Sequence, residues 1–203
     1  MTDTTAGQRA HDLASRLLPI NRSLTGAALV NTLGILKETL PDLTLHHVPS
    51  GAQVFDWTIP KEWHVRTAYI ETPTGARICD FEQNNLHLIG YSQPIDTTLS
   101  LAELQEHLHS LPDQPEAIPY VTSYYGETWG FCLPDRLRQS LPEGDYRVLI
   151  DADHFDGNLT YADLLISGQS TDEILFSTYV CHPSMANNEL SGPVVAEALA
   201  QYV

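Results

Sequence analysis

Glu173-Ile174-Leu175-Phe176-Ser177-Thr178-Tyr179-Val180 is an apolar, β-rich run of strand length. A polar loop follows, Cys181-His182-Pro183-Ser184-Met185-Ala186-Asn187-Asn188-Glu189-Leu190-Ser191-Gly192, and then Pro193-Val194-Val195-Ala196-Glu197-Ala198-Leu199-Ala200. The last segment reads as a helix that opens with Ser191 or Gly192 as cap and Pro193 in its first turn. This strand–loop–helix order constrains the fold more than any other part of the chain. Strands that alternate with helices build a parallel sheet covered on both faces. Open sheets of that kind place ligands at the carboxyl ends of their strands, in the loop that enters the next helix. Here that loop holds a histidine, two amides and a carboxylate: His182, Asn187, Asn188 and Glu189.

The rest of the chain has a different texture. Residues 8–40 read as helical, with one apolar stripe at Leu13, Leu17 and Leu18 and another at Leu29, Leu33, Leu36 and Leu40. Thr25-Gly26 separates the two stripes and Pro41 closes the segment. From Leu43 to about Ile166, short alternating runs recur between turn signals such as Pro49-Ser50-Gly51 and Pro73-Thr74-Gly75. Strands are expected at 43–48, 53–59, 67–71, 76–81, 86–91, 119–125, 129–133, 146–150 and 161–166. Ser100 with Glu103 three residues on predicts a capping box and a short helix. The layout suggests an α/β protein in three parts. Residues 1–45 are the helical start of a core, 46–158 an inserted β-rich domain, and 159–203 the start of an α/β core whose remainder lies outside this chain.

Charge and cysteine usage narrow the function classes. The 203 residues carry 26 acidic and 10 basic side chains, a formal net charge of −16. That argues against nucleic acid and against an anionic membrane surface, both of which call for a basic footprint. No apolar run approaches the roughly 18 residues of a membrane span. Three cysteines, Cys79, Cys132 and Cys181, make neither a disulfide framework nor a Cys-x-x-Cys zinc site. With no basic-then-apolar signal at the start, the expected setting is the reducing cytoplasm.

His182 stands out as a candidate metal ligand, because neutral imidazole is the commonest partner of zinc and Glu189, Asn187 and Asn188 share its loop. The helix start behind the loop adds a dipole that suits an anion. Asp151-Ala152-Asp153-His154-Phe155-Asp156-Gly157 is out of register with a calcium loop and reads as a solvated turn after a strand. Asn21-Arg22-Ser23 and Asn158-Leu159-Thr160 match glycosylation sequons, which are inert in the cytoplasm. The aromatics of 120–131 are expected in a β-domain core or edge. His46-His47 and His107…His109, without carboxylate company in sequence, read as surface residues.

Three segments together carry a family resemblance. The 181–192 loop, Phe55-Asp56-Trp57-Thr58-Ile59-Pro60-Lys61-Glu62-Trp63, and Thr122-Ser123-Tyr124-Tyr125-Gly126-Glu127-Thr128-Trp129-Gly130-Phe131-Cys132 resemble the bacterial aminopeptidase-like proteins. These belong with the zinc aminopeptidases of the aminopeptidase Y and glutamate carboxypeptidase type. The resemblance implies a zinc-peptidase α/β sandwich interrupted by a β-rich insertion, with a winged-helix segment further on. It implies a peptide or small amide substrate and one or two zinc ions. His182 matches the first ligand of an H-x-D motif, with Ser184 where the aspartate would be. Asn188 holds the position of the metal-bridging aspartate, and Glu189 beside it is the substitute carboxylate. The general base is expected beyond Val203. A non-catalytic relative with a recognition or assembly role is the alternative. The strand at 174–180 and the helix after it, both short of partners, suggest self-association.

Overall fold

The computed structural model describes residues 5–203. In chain order the elements are helices α1 (Ala6–Leu17) and α2 (Ala27–Lys37), then strands β1 (Thr44–Pro49), β2 (Gln53–Val54), β3 (Trp57–Thr58), β4 (Glu62–Glu71) and β5 (Arg77–Ile78). β6 (Ile95–Ser100), α3 (Leu101–Gln105), β7 (Leu108–His109), β8 (Phe131–Cys132), α4 (Asp135–Gln139), β9 (Asp145–Phe155) and β10 (Asn158–Asp163) follow, and α5 (Ser191–Tyr202) comes last. The mixture of helices and strands is of the α/β class. No helix among the described residues is long and apolar enough to cross a membrane. The chain divides into two compact units, one made of the residues up to Glu62 together with Asp156–Val203, the other of Trp63–Phe155.

The first unit grows from the leucine stripes. Thr5 caps α1 by accepting a hydrogen bond from the Gln8 amide. Gly26 caps α2 at φ 95°, a backbone setting that favours glycine. Leu13 and Leu17 from α1 meet Leu33 and Leu36 from α2, and Leu43, Leu190 and Val194 close the cluster. Leu18, expected in the same stripe, is 39% exposed. β1 pairs antiparallel with β10 from Thr44↔Asp163 to Pro49↔Asn158. That six-residue ladder holds residues 44–49 and 158–163 together in the first unit. Two strands joined by their hydrogen bonds cannot be divided between compact units.

In the second unit a four-stranded sheet runs in the order β5-β4-β9-β6. β6 and β9 are antiparallel from Ile95↔Ile150 to Ser100↔Asp145. The period-two rule is visible in β9, where Tyr146, Val148, Ile150 and Ala152 are buried and alternate with more exposed neighbours. Ser100 and Glu103 form the expected capping box on α3. Cys132, Phe131 and Leu133 are fully buried, so this part of the aromatic segment is core.

Several local expectations are corrected. Residues 151–155 are not a turn: β9 continues through Phe155, and only Asp156-Gly157 turn the chain. The alternation persists because Ala152 faces the core while Asp151 and Asp153 both pair with Arg66 on β4. Residues 119–125 form a single bridge, Gly90↔Thr122, rather than a strand, and β6 at 95–100 is an additional strand. The largest departure is at 173–180, where no strand forms. A strand needs a neighbour to satisfy its backbone donors and acceptors, and among the described residues none pairs there. Ile174 is 84% exposed and Leu175 87%.

Candidate functional site

The loop 181–190 docks on the end of α1. A helix leaves its last carbonyls without intrahelical partners. Here the Arg22 guanidinium donates through Nη1 to the Leu17 carbonyl (2.5 Å), and Ser184 Oγ donates to the Leu18 carbonyl (3.1 Å). Ser184, at the position where the resemblance expects an aspartate, sits at φ 40°. Residues 186–190 then form one wide π turn, in which the Leu190 amide reaches back to the Met185 carbonyl (3.2 Å). This corrects the expected helix start. Ser191 is the first residue of α5 and donates its hydroxyl to the Asn187 carbonyl (2.6 Å) instead of capping, so Pro193 stands third in the helix. Proline is tolerated there because a first-turn amide has no intrahelical acceptor to lose. A β-carbon on Gly192 would collide with Thr178 Oγ1, so glycine allows residue 178 to approach the helix.

The π turn carries Glu189 inward. Its side chain is 1% exposed, and Oε1 accepts a hydrogen bond from the His182 amide (2.9 Å). Oε2 has no hydrogen-bond partner. Ligand atoms of Cys181, His182 and Glu189 all lie within 4.8 Å of one another. Tyr179 packs edge-on against the His182 ring at 5.7 Å. Asn188 shares the turn but is exposed. So His182 and Glu189, far apart in side-chain chemistry but seven residues apart in sequence, are brought together, and Cys181 joins them.

Burial sets the electrostatics of this cluster. It lowers the His182 imidazole below its ordinary range, against a hydrogen bond to the Cys181 backbone and with the Arg22 charge a further cause, which favours the neutral ring that ligates metals. Burial pushes the Cys181 thiol up to about 11, assisted by the Glu189 charge. Burial also raises Glu189, against the hydrogen bond from the His182 amide, the nearby Cys181 backbone and the attraction of Arg22. Imidazole nitrogen, carboxylate oxygen and thiolate sulfur are the three donor types that bind zinc. A buried carboxylate oxygen without a partner is the kind of atom a cation would satisfy. The donor set therefore fits a zinc ion, with fewer protein ligands than a closed structural site requires.

Arg22 and Cys181 are the residues that sequence reasoning passed over. Arg22 is 1% exposed, and besides Leu17 it reaches the His182 carbonyl through Nε (3.0 Å). One cue was available. No acidic residue lies between Asp12 and Glu38, and Glu38 pairs with Arg16 (2.9 Å). A counter-charge for Arg22 had to come from a distant part of the chain. His46, expected to lack a carboxylate, lies 3.0 Å from Asp163, which the β1–β10 pairing sets diagonally across from it, two residues beyond its direct partner Tyr161. His107 stacks on Trp129 at 3.6 Å.

Residues 62–153 match the family described as a domain of unknown function, DUF2172. That stretch is close to the second compact unit. The chain is 44% identical over 195 residues to a Clostridium acetobutylicum protein whose provisional name is polysaccharide biosynthesis protein with aminopeptidase-like domain. The match takes in 96% of this chain and 45% of that protein. A crystal structure from Clostridium acetobutylicum, provisionally assigned as a peptidase, superimposes with a TM-score of 0.90 at 44% identity. It covers 97% of this chain and 47% of its own. The chain thus spans less than half the length of the relatives it matches.

Proposed function

We propose that this chain supplies part of the site of a zinc-dependent, aminopeptidase-like hydrolase acting on a peptide or small amide. The observation that carries the reading is the unpartnered, buried Oε2 of Glu189 beside the neutral imidazole of His182. Support comes from relatives with aminopeptidase-like and peptidase names at 44% identity. His182 and Glu189 are the proposed ligands; the exposed Asn188 is a ligand only if it turns inward. Zinc held there would polarise a scissile carbonyl and bring a bound water's pKa toward ~7. His182 contributes a lone pair without having to lose a proton, and Glu189 contributes charge at a place where few waters compete. A net charge of −16 and three free cysteines suit a cytoplasmic setting without nucleic acid or membrane as partner.

The test is zinc titration of the 203-residue chain against a chromophoric chelator. Three donors from one loop fall short of a closed site, so binding is expected to be weak, and His182→Ala should abolish it. Equal affinity in His182→Ala and wild type would sink the assignment. One observation favours a second reading, a non-catalytic role in recognition or assembly: the apolar residues Ile174, Leu175, Phe176 and Tyr179 are exposed together beside the site.

A further inference from the structure

We infer that Arg22 is a positioning residue for His182. The inference rests on the zinc reading above but concerns a different residue. Three observations meet at this side chain. Arg22 is among the most deeply buried side chains of the protein, an unusual place for an arginine. Its fork joins two carbonyls, Leu17 at the end of α1 (2.5 Å), which also accepts from the Ile20 amide (3.2 Å), and His182 in the loop (3.0 Å). Its charge is felt by Glu189, Cys181 and His182.

The consequence is a peptide clamp. On one side of His182, Glu189 Oε1 accepts from the amide; on the other, Arg22 Nε donates to the carbonyl. The backbone of the candidate ligand is gripped at both ends by buried side chains of opposite charge. Glu189 comes from the π turn and Arg22 from the segment after α1, so the grip also ties the loop to the helix. Neither a lysine nor an apolar side chain reproduces it. Lysine has a single ammonium, where the guanidinium presents a rigid fork that spans two acceptors. Support of this kind ordinarily changes metal affinity by about ten- to a hundredfold when it is removed.

The experiment compares wild type with Arg22→Met, Arg22→Lys, His182→Ala and Leu33→Ala. Leu33 lies in the leucine cluster and supplies no ligand atom and no hydrogen bond to the loop, so its variant is the control for lost stability. Two readouts are taken at a temperature where all are folded by circular dichroism: zinc affinity by chelator competition, and amide hydrogen exchange in 181–184, read at Cys181, His182 and Ser184. Arg22→Met is expected to weaken zinc at least tenfold and to speed exchange at 181–184, with Arg22→Lys in between. Leu33→Ala, at a comparable melting temperature, should match wild type in both. Unchanged exchange at 181–184 in Arg22→Met overturns the inference whatever zinc does. So does a Leu33→Ala variant that loses as much zinc affinity as Arg22→Met. If His182→Ala keeps the wild-type affinity, the zinc assignment falls, and exchange at 181–184 still decides whether Arg22 holds the loop.

Discussion

Alkylation of Cys181 gives a direct reading of the environment around the candidate ligands. Burial, aided by the Glu189 charge, takes the thiol from its ordinary 9.0 to about 11. The reactive species is the thiolate. At pH 8 an unperturbed thiol is about one-tenth ionised and one at 11 about one-thousandth, so Cys181 should react about a hundredfold more slowly than a free peptide thiol. The perturbation is pH, stepped from 8 to 10, and the assay is iodoacetamide labelling of the native chain followed by peptide mass spectrometry. The rate should rise about tenfold per pH unit across that range with no plateau. Cys79 and Cys132, pushed up to about 12 by burial, should lag behind Cys181. The linkage has a definite sign. A thiol whose folded pKa is raised favours the fold fully below pH 9.0, and that contribution fades as pH climbs toward 11. Labelling within about threefold of a free thiol, or a plateau near pH 9, would refute the argument that the loop around His182 excludes water.

Other outcomes follow from the same structure. Leu17→Ala, at a fully buried position in the leucine cluster, should cost about 2–5 kcal/mol in urea unfolding. Gly26→Ala should destabilise by about 1 kcal/mol or more despite alanine's helix propensity, because φ is 95° at the cap of α2; a stabilised variant would contradict this. Glu189 has a raised folded pKa, so its ionisation favours the fold less as pH rises. The stability of Glu189→Gln relative to wild type should therefore improve between pH 4 and 7, as read from urea midpoints. The exposed run at 174–176 should promote self-association. Leu175→Lys with Phe176→Lys should lower concentration-dependent light scattering, and a wild-type chain that is monomeric at all concentrations would end that expectation.

The local chemistry of this protein was legible in its sequence. Leucine spacing marked α1 and α2, Ser100 and Glu103 announced a capping box, and the 181–192 loop declared itself by its polar residues between two apolar segments. Each of these depends on neighbours within a few positions along the chain, where propensity and periodicity act. What lay beyond reach depended on distant partners. The 173–180 run has every local mark of a strand but pairs with nothing among the described residues, and hydrogen bonds between strands are not a property of one segment. Asp151 and Asp153 read as a turn until Arg66 stood opposite them on the next strand. The candidate site shows the division most clearly. His182 and Glu189 could be named from the loop alone, but the π turn that buries Glu189 was not visible there. Nor was Arg22, 160 residues away in the chain, which grips the His182 carbonyl. Buried charge finds its partners through the tertiary fold, because only the fold removes the water that would otherwise serve both of them.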